Sequence, residues 1–269
     1  MSDPTMERVT VVLTREELAV ILRLLGVTEM PGYDASWLRA APDGSLPADT
    51  RRALEVATNG LIARGFLTDT STGQEAQITM PAPLIAMVAA CAFGEYSVLL
   101  AARNAQQRNQ AFLHELQGLG VIHTAPSGDL HQFDALNGRA GVLQIMATIL
   151  GLDNQPALGL PPAAIDADTL ERICDVALQG NAPEAERQLV QSGIPAPTAQ
   201  PLAGALSNAR ALGSVTVAGA NAPQSMTIGV VTSPSACFFL TRATLDVPRL
   251  TVQSVTAQQV RDWLAAHVG

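Results

Sequence analysis

Three histidines fall close together in the chain, His114, His123 and His131, nine and eight residues apart. Imidazoles at such spacing could ligate zinc, carry protons or line an interface. Each sits in a run of alternating apolar residues, which predicts three successive strands over 109–116, 121–124 and 130–135. A hairpin centred between Gly118 and Leu119 would set His114 opposite His123, and one centred at Ser127 would set His123 opposite His131. Directly opposed Cβ atoms lie about 5 Å apart, so the outer imidazoles of a flat row stand roughly 10 Å from each other. Tetrahedral zinc holds its nitrogen ligands at about 2.0–2.1 Å, and a flat row does not close around one ion. A solvated or interface-facing polar row is therefore the leading reading, and a metal-dependent enzyme an alternative. With Phe112, Leu119 and Phe133 beside them, the expected partner-binding set is Phe112, His114, Leu119, His123, His131 and Phe133.

Other chemistry is thin. Asp129 and Asp134 flank the last of these strands and Glu115 adjoins His114, but spacing alone sets up no acid–base pair. No G-x-S-x-G is present, and GSVTVAG (213–219) is not a phosphate-cradling G-x-G-x-x-G. All sixteen basic residues are arginine, which excludes lysine Schiff bases, P-loop lysines and kinase strand lysines. Cys91, Cys174 and Cys237 are odd in number, far apart and set among apolar residues, so they read as buried free thiols. No catalytic, cofactor-binding or metal residue is expected.

The stretch 48–80 offers a second function class. A helix, a stop at Gly65 and a short hairpin resemble the helix and wing of a winged-helix DNA binder, with Arg51, Arg52 and Arg64 as phosphate contacts. A net charge of −8 opposes polyanions as main partners. No apolar run reaches the roughly 18 residues of a membrane span, and the acidic N-terminus is a poor secretory signal, so a cytoplasmic location is expected.

The elements that must position these residues recur. SVLLAARNAQQ (97–107) returns as SVTVAGANAPQ (214–224), and Val142, Ile145, Met146, Leu150 and Gly151 match Val260, Trp263, Leu264, Val268 and Gly269. On this alignment Thr241 and Arg249 stand near the places of His123 and His131. A strand over 9–13 leads into a T-x-x-E capping box at Thr14 and Glu17. Helices follow at 15–25, from Ser45 to Gly65 with Leu54, Ala57, Leu61 and Ile62 inward, and from Pro81 to Phe93. Strands at 95–102, 109–116, 121–124 and 130–135 and a helix at 138–150 close the first half. The second half predicts helices at 168–179, 183–191 and 197–211, strands at 214–218, 226–232, 237–243 and 247–254, and a helix at 256–268. The expectation is an α+β fold with antiparallel sheets from two pseudo-repeated halves, each reading helices, four strands, helix. Its N-terminal helical unit is winged-helix-like. The halves span 1–151 and 166–269, with a Gly- and Pro-rich linker over 152–165.

With LIARGFL (61–67) ending the helical unit ahead of this central sheet and closing helix, the layout is similar to the EspG-type chaperones of type VII secretion. The resemblance implies a non-enzymatic protein that binds cognate secreted heterodimers in the cytosol. A protein-binding scaffold, chaperone or adaptor with a protein partner and no cofactor is therefore expected, the alternatives being a winged-helix regulator or a histidine-based metalloenzyme.

Overall fold

A computed structural model describes residues 9–27, 29–38, 40, 44–69, 78–219, 225–242 and 249–268. The chain begins with β1 (Thr10–Thr14) and α1 (Arg15–Leu24), then a 3-10 turn (Ser36–Leu38) and α2 (Ala48–Ala63). A small hairpin, β2 (Thr68–Asp69) and β3 (Ile78–Thr79), leads to α3 (Ala82–Phe93). The meander β4 (Tyr96–Arg103), β5 (Arg108–Leu116), β6 (Leu119–Ser127) and β7 (Leu130–Leu136) is closed by α4 (Gly138–Ile149). The order then recurs: β8 (Ala163–Asp166), three helices α5 (Ala167–Leu178), α6 (Ala182–Gln191) and α7 (Ala196–Ser207), then four strands and a helix. Those are β9 (Ala211–Gly219), β10 (Met226–Thr232), β11 (Cys237–Arg242), β12 (Arg249–Val255) and α8 (Ala257–His267). The class is α+β, as the element pattern predicts.

Two compact units are present, one of Met1–Ser97 with Ala111–Val142, the other of Val98–Gln110 with Leu143–Gly269. In the first, neighbouring strands run β1-β7-β6-β5, and in the second β4-β9-β10-β11-β12-β8. The division differs from the expected one at 151–165, because 98–110 and 143–151 belong with the second unit. Nor is 152–165 only a linker. Its last three residues lie in β8, whose Ala163 and Ile165 turn inward as it pairs with β12 from Val252↔Ala163 to Arg249↔Asp166. A four-residue alternation just after two prolines is too short a signal to read in isolation.

Local rules place the helices. Thr14 accepts from the Glu17 amide at 3.1 Å while Glu17 accepts from the Thr14 amide at 2.9 Å, closing the capping box. Asp166 caps α5 through the Thr169 amide, and Thr256 with Gln259 forms a second box at α8. The second helix starts at Ala48, after Pro47, and not at Ser45; a proline occupies its cap position. Ile62 is 43% exposed, a correction to its expected inward position: the buried pair is Ala57 and Leu61, and the next residue lies about 100° further round. Residues 70–77, 220–224, 243–248 and Gly269, which carry the tip of the expected wing, parts of the echo and ends of two expected strands, lie outside the described residues.

Each unit has its own core. Leu18, Ile21, Leu84, Met87 and Val88 of the first pack with Leu13, Val121 and Phe133. In the second, Leu170, Ile173, Leu189, Leu202 and Leu206 pack with Phe238 and Val252. The three cysteines are buried and free, and burial pushes their thiols up, Cys174 to about 11 and Cys237 to about 12.

Candidate functional site

The β5–β6 turn is made by Gln117 and Gly118, both with positive φ (50° and 81°), the backbone of a tight two-residue hairpin. Its centre lies one residue earlier than expected, which slides the partners by two. His114 therefore pairs with Val121, and His123 pairs with Phe112. On the next ladder His123 stands opposite Phe133, and a bulge between Thr124 and Ser127 follows, so that ladder skips His131, which pairs with Leu13 on the β1 side. The expected row of directly opposed histidines is thus corrected. A slip of two keeps side chains on one face, so the three imidazoles still share the face that carries the first unit's core.

On that face they are interior groups. Phe133, His114 and His123 are fully buried and His131 is 4% exposed, while Phe112 and Leu119 are half-buried. The His123 ring stacks on Phe133, with centroids 4.6 Å apart and planes 7° from parallel, and on Phe112 at 5.7 Å. Its Nε2 shares a hydrogen bond with His131 Nδ1 at 2.9 Å, and His114 Nδ1 shares one with the Ser97 hydroxyl at 2.9 Å. His114 Nε2 and His123 Nδ1 close no hydrogen bond of normal geometry. Burial pulls His114 down to about 4; burial and the neighbouring imidazoles pull His123 down to about 3, and His131 is lowered mainly by burial. All three are neutral at pH 7.

A loop seals the cluster. Gly32 has φ of +81°, and a Cβ there would lie 2.5 Å from Phe112 Cδ2 and 3.0 Å from His123 Cε1, so glycine lets this backbone rest on the rings. Tyr33 meets His131 at 5.7 Å between centroids, and its hydroxyl accepts from Trp37 Nε1 at 3.1 Å. Arg15 in turn lies 5.1 Å over the Trp37 ring. Ser97 and Tyr33 were not singled out as site residues in the sequence. The Pro31-Gly32 turn is readable there, but its landing places on Phe112 and His123, 80 and 91 residues away, are not.

Sealed, neutral imidazoles with such low proton affinity are poor general bases at pH 7. Among the described residues no group of three His, Cys, Asp or Glu side chains could hold a metal ion. Asp129 is exposed in the β6–β7 turn; Asp134, turned to the opposite face of β7, accepts from Thr10 and Gln132. Glu115 accepts from the Tyr96 hydroxyl at 2.8 Å.

The arginines of the DNA-binding reading are differently disposed. Arg64 donates to both carboxylate oxygens of buried Glu17, at 2.7 and 2.8 Å, and to the Val12 carbonyl at 2.6 Å, while its guanidinium lies over Phe66. It is committed to blocking the outer edge of β1. Arg51 lines a groove of about 670 Å³ between α1 and α2, and Arg52 a neighbouring one of about 550 Å³ that also holds Glu16, Glu17 and Asp49. Three arginines so interleaved with acids form no positive stripe. In the second unit, Leu143 and Ala147 of α4 and Leu264 and Ala265 of α8 line a cleft of about 580 Å³.

No protein-family model matches the chain, and no curated protein matches it. Among solved structures, EspG5, the type VII secretion chaperone of Mycobacterium tuberculosis in complex with the PE25–PPE41 dimer, matches with a TM-score of 0.58 and 11% identity. The match covers 97% of this chain and 96% of that one. The chain has the fold of EspG5. HtdX of the same organism also aligns, at 13% identity over 93% of this chain and 100% of that one, but with a TM-score of 0.13, which is no likeness of fold. No helix among the described residues is long and apolar enough to cross a membrane.

Proposed function

We propose that the protein is a non-enzymatic scaffold that binds and holds another protein, acting as a chaperone of secreted substrates in the cytoplasm. The observation that carries this reading is the fold match, over 97% of this chain, to a secretion chaperone captured with the PE25–PPE41 dimer. The buried imidazoles support it, since His114 and His123 lie in a closed core and not on a surface open to substrate. The partner class proposed is a helical heterodimer destined for secretion, and the capture of EspG5 with the PE25–PPE41 dimer supports a dimeric protein partner.

Contact in the first unit is proposed through 111–133, where Phe112 and Leu119 are the half-buried members of the expected set and His114, His123, His131 and Phe133 support them from within. The test is co-expression with heterodimers of PE–PPE type encoded in the same genome, followed by light scattering of the purified complex. A stable complex with one copy of each chain, weakened by Phe112→Ala while the melting curve stays cooperative, is the expected result. Failure of every such pair to co-purify would sink the chaperone reading, and an undiminished complex in Phe112→Ala would remove the contact assignment.

A further inference from the structure

We propose that His114, His123 and His131 form an acid-released latch beneath the Met30–Tyr33 loop: their protonation expels the loop and uncovers Phe112 and Phe133, while the second unit stays closed. Four observations converge. The imidazoles are buried side by side, with His123 and His131 sharing one hydrogen bond that accommodates a single proton. One buried ring nitrogen, His114 Nε2, has no partner to receive a new N–H, and His123 Nδ1 closes no hydrogen bond of normal geometry. The seal rests on them through Pro31, Gly32 and Tyr33, without a helix or strand of its own. The second unit carries Val231, Leu240 and Leu250 where the first carries His114, His123 and His131, as the matching registers show.

The charged and titratable groups facing the cluster do not rescue it. Arg15 of α1 opposes charge on His131, whereas Glu16 of α1 and Asp129 of the β6–β7 turn favour it from half-exposed and exposed positions. Tyr33 brings a phenol that burial keeps protonated, Ser97 a neutral hydroxyl, and α3 only the thiol of Cys91. His114 and His123 face each other's charge, and the Pro31 carbonyl is the one group that favours protonated His123.

The sign follows. Each histidine is held below its ordinary proton affinity in the closed state, so closure is fully stable above about pH 6.5 and weakens as pH falls towards the closed-state values. Each proton taken up on opening multiplies the opening equilibrium by about ten per pH unit, hence roughly a hundredfold for two and a thousandfold for three.

The chain has two tryptophans, Trp37 against the latch loop and Trp263 in the second unit. In W263F, Trp37 emission should red-shift between pH 6.5 and 4 with a Hill slope of at least about two. In W263F/H123L/H131L the midpoint should fall by a pH unit or more. Rate-corrected hydrogen exchange on the unmodified protein should show 29–38 and 111–136 losing protection at pH 5 while 163–219 keeps it. A flat Trp37 signal down to pH 4, a midpoint unmoved by the double leucine change, or loss of protection in both units together would each overturn the latch. Should the leucine variant not fold, H131L at the edge of the cluster replaces it, and the exchange pattern decides independently.

Discussion

The first unit spans one rung of its sheet with Val11, Phe133, His123 and Phe112; the second fills the equivalent rung with Ala163, Val252, Leu240 and Gly229. The positions correspond because each half of the chain runs strand, three helices, four strands, helix, with β1 on β7 as β8 is on β12. The expected counterparts of His123 and His131, Thr241 and Arg249, are each displaced by one residue: Leu240 and Leu250 stand there, on the inner face. Side-chain volume is distributed in opposite ways. Where β5 has Phe112, the covering loop has Gly32 and lies flat on the ring. Where β10 has Gly229, Leu240 folds over the bare backbone, and a Cβ there would lie 2.9 Å from Leu240 Cβ. One scaffold thus accepts a polar aromatic plug under a loop or an aliphatic core under helices, and only the first is sensitive to acid.

The largest test of that contrast is truncation on the shared rung. Phe133→Ala, at a fully buried stacked ring, should cost about 3–5 kcal/mol. Val252→Ala, equally buried, should cost about 2 kcal/mol, from two lost methyl groups and a small cavity. Denaturant unfolding measures both, and equal losses would mean that the two rungs are not equivalent in packing.

Local chemistry in the sequence was enough to read the element order, the T-x-x-E capping box, the turn at Pro31-Gly32, the meanders and the closing helices, because each is set by neighbours within a few residues. The histidine cluster was only half legible. Strand period alone puts the three on one face, but whether that face is open or covered depends on α1, α3 and a loop from far upstream. The register turned on one residue, since Gln117 adopts positive φ and moves the turn off Gly118-Leu119. Phe133 is the plainest casualty: an alternating apolar position looks the same on a docking face and on a sealed one.

Next in size is Gly32→Ala. Its Cβ must displace Phe112, and alanine resists φ of +81°, so the change should cost about 2–3 kcal/mol. Gly229→Ala, with ordinary φ and a milder clash, 2.9 Å against Leu240 Cβ, should cost less, about 1–2 kcal/mol. The difference measures how firmly the loop is seated, and an inverted order would show that it yields more readily than a strand. A His123/His131 double-mutant cycle is smaller again. His123→Leu alone strands the buried His131 Nδ1 and should cost about 1–2 kcal/mol, whereas changing both to leucine, as in the second unit, should be nearly neutral. Additive losses would mean that the hydrogen bond between the rings contributes nothing.

The smallest effects lie where strand hands over to helix, β1 to α1 and β8 to α5. Thr14→Ala removes one side of a reciprocal box and should cost about 1 kcal/mol in denaturant unfolding at neutral pH. Asp166→Ala should cost less, because that cap is one-sided, with no side chain returning to the Asp166 amide. The two differ again with pH. The Thr169 amide holds the Asp166 carboxyl below its ordinary range, so its contribution is present above about pH 4 and fades as the carboxyl protonates in stronger acid. Thr14 carries no charge of its own to lose, so the Thr14→Ala penalty should fall less between pH 7 and 3. If both penalties shrink in parallel, the threonine hydroxyl does not cap independently of pH, and the two handovers are alike after all.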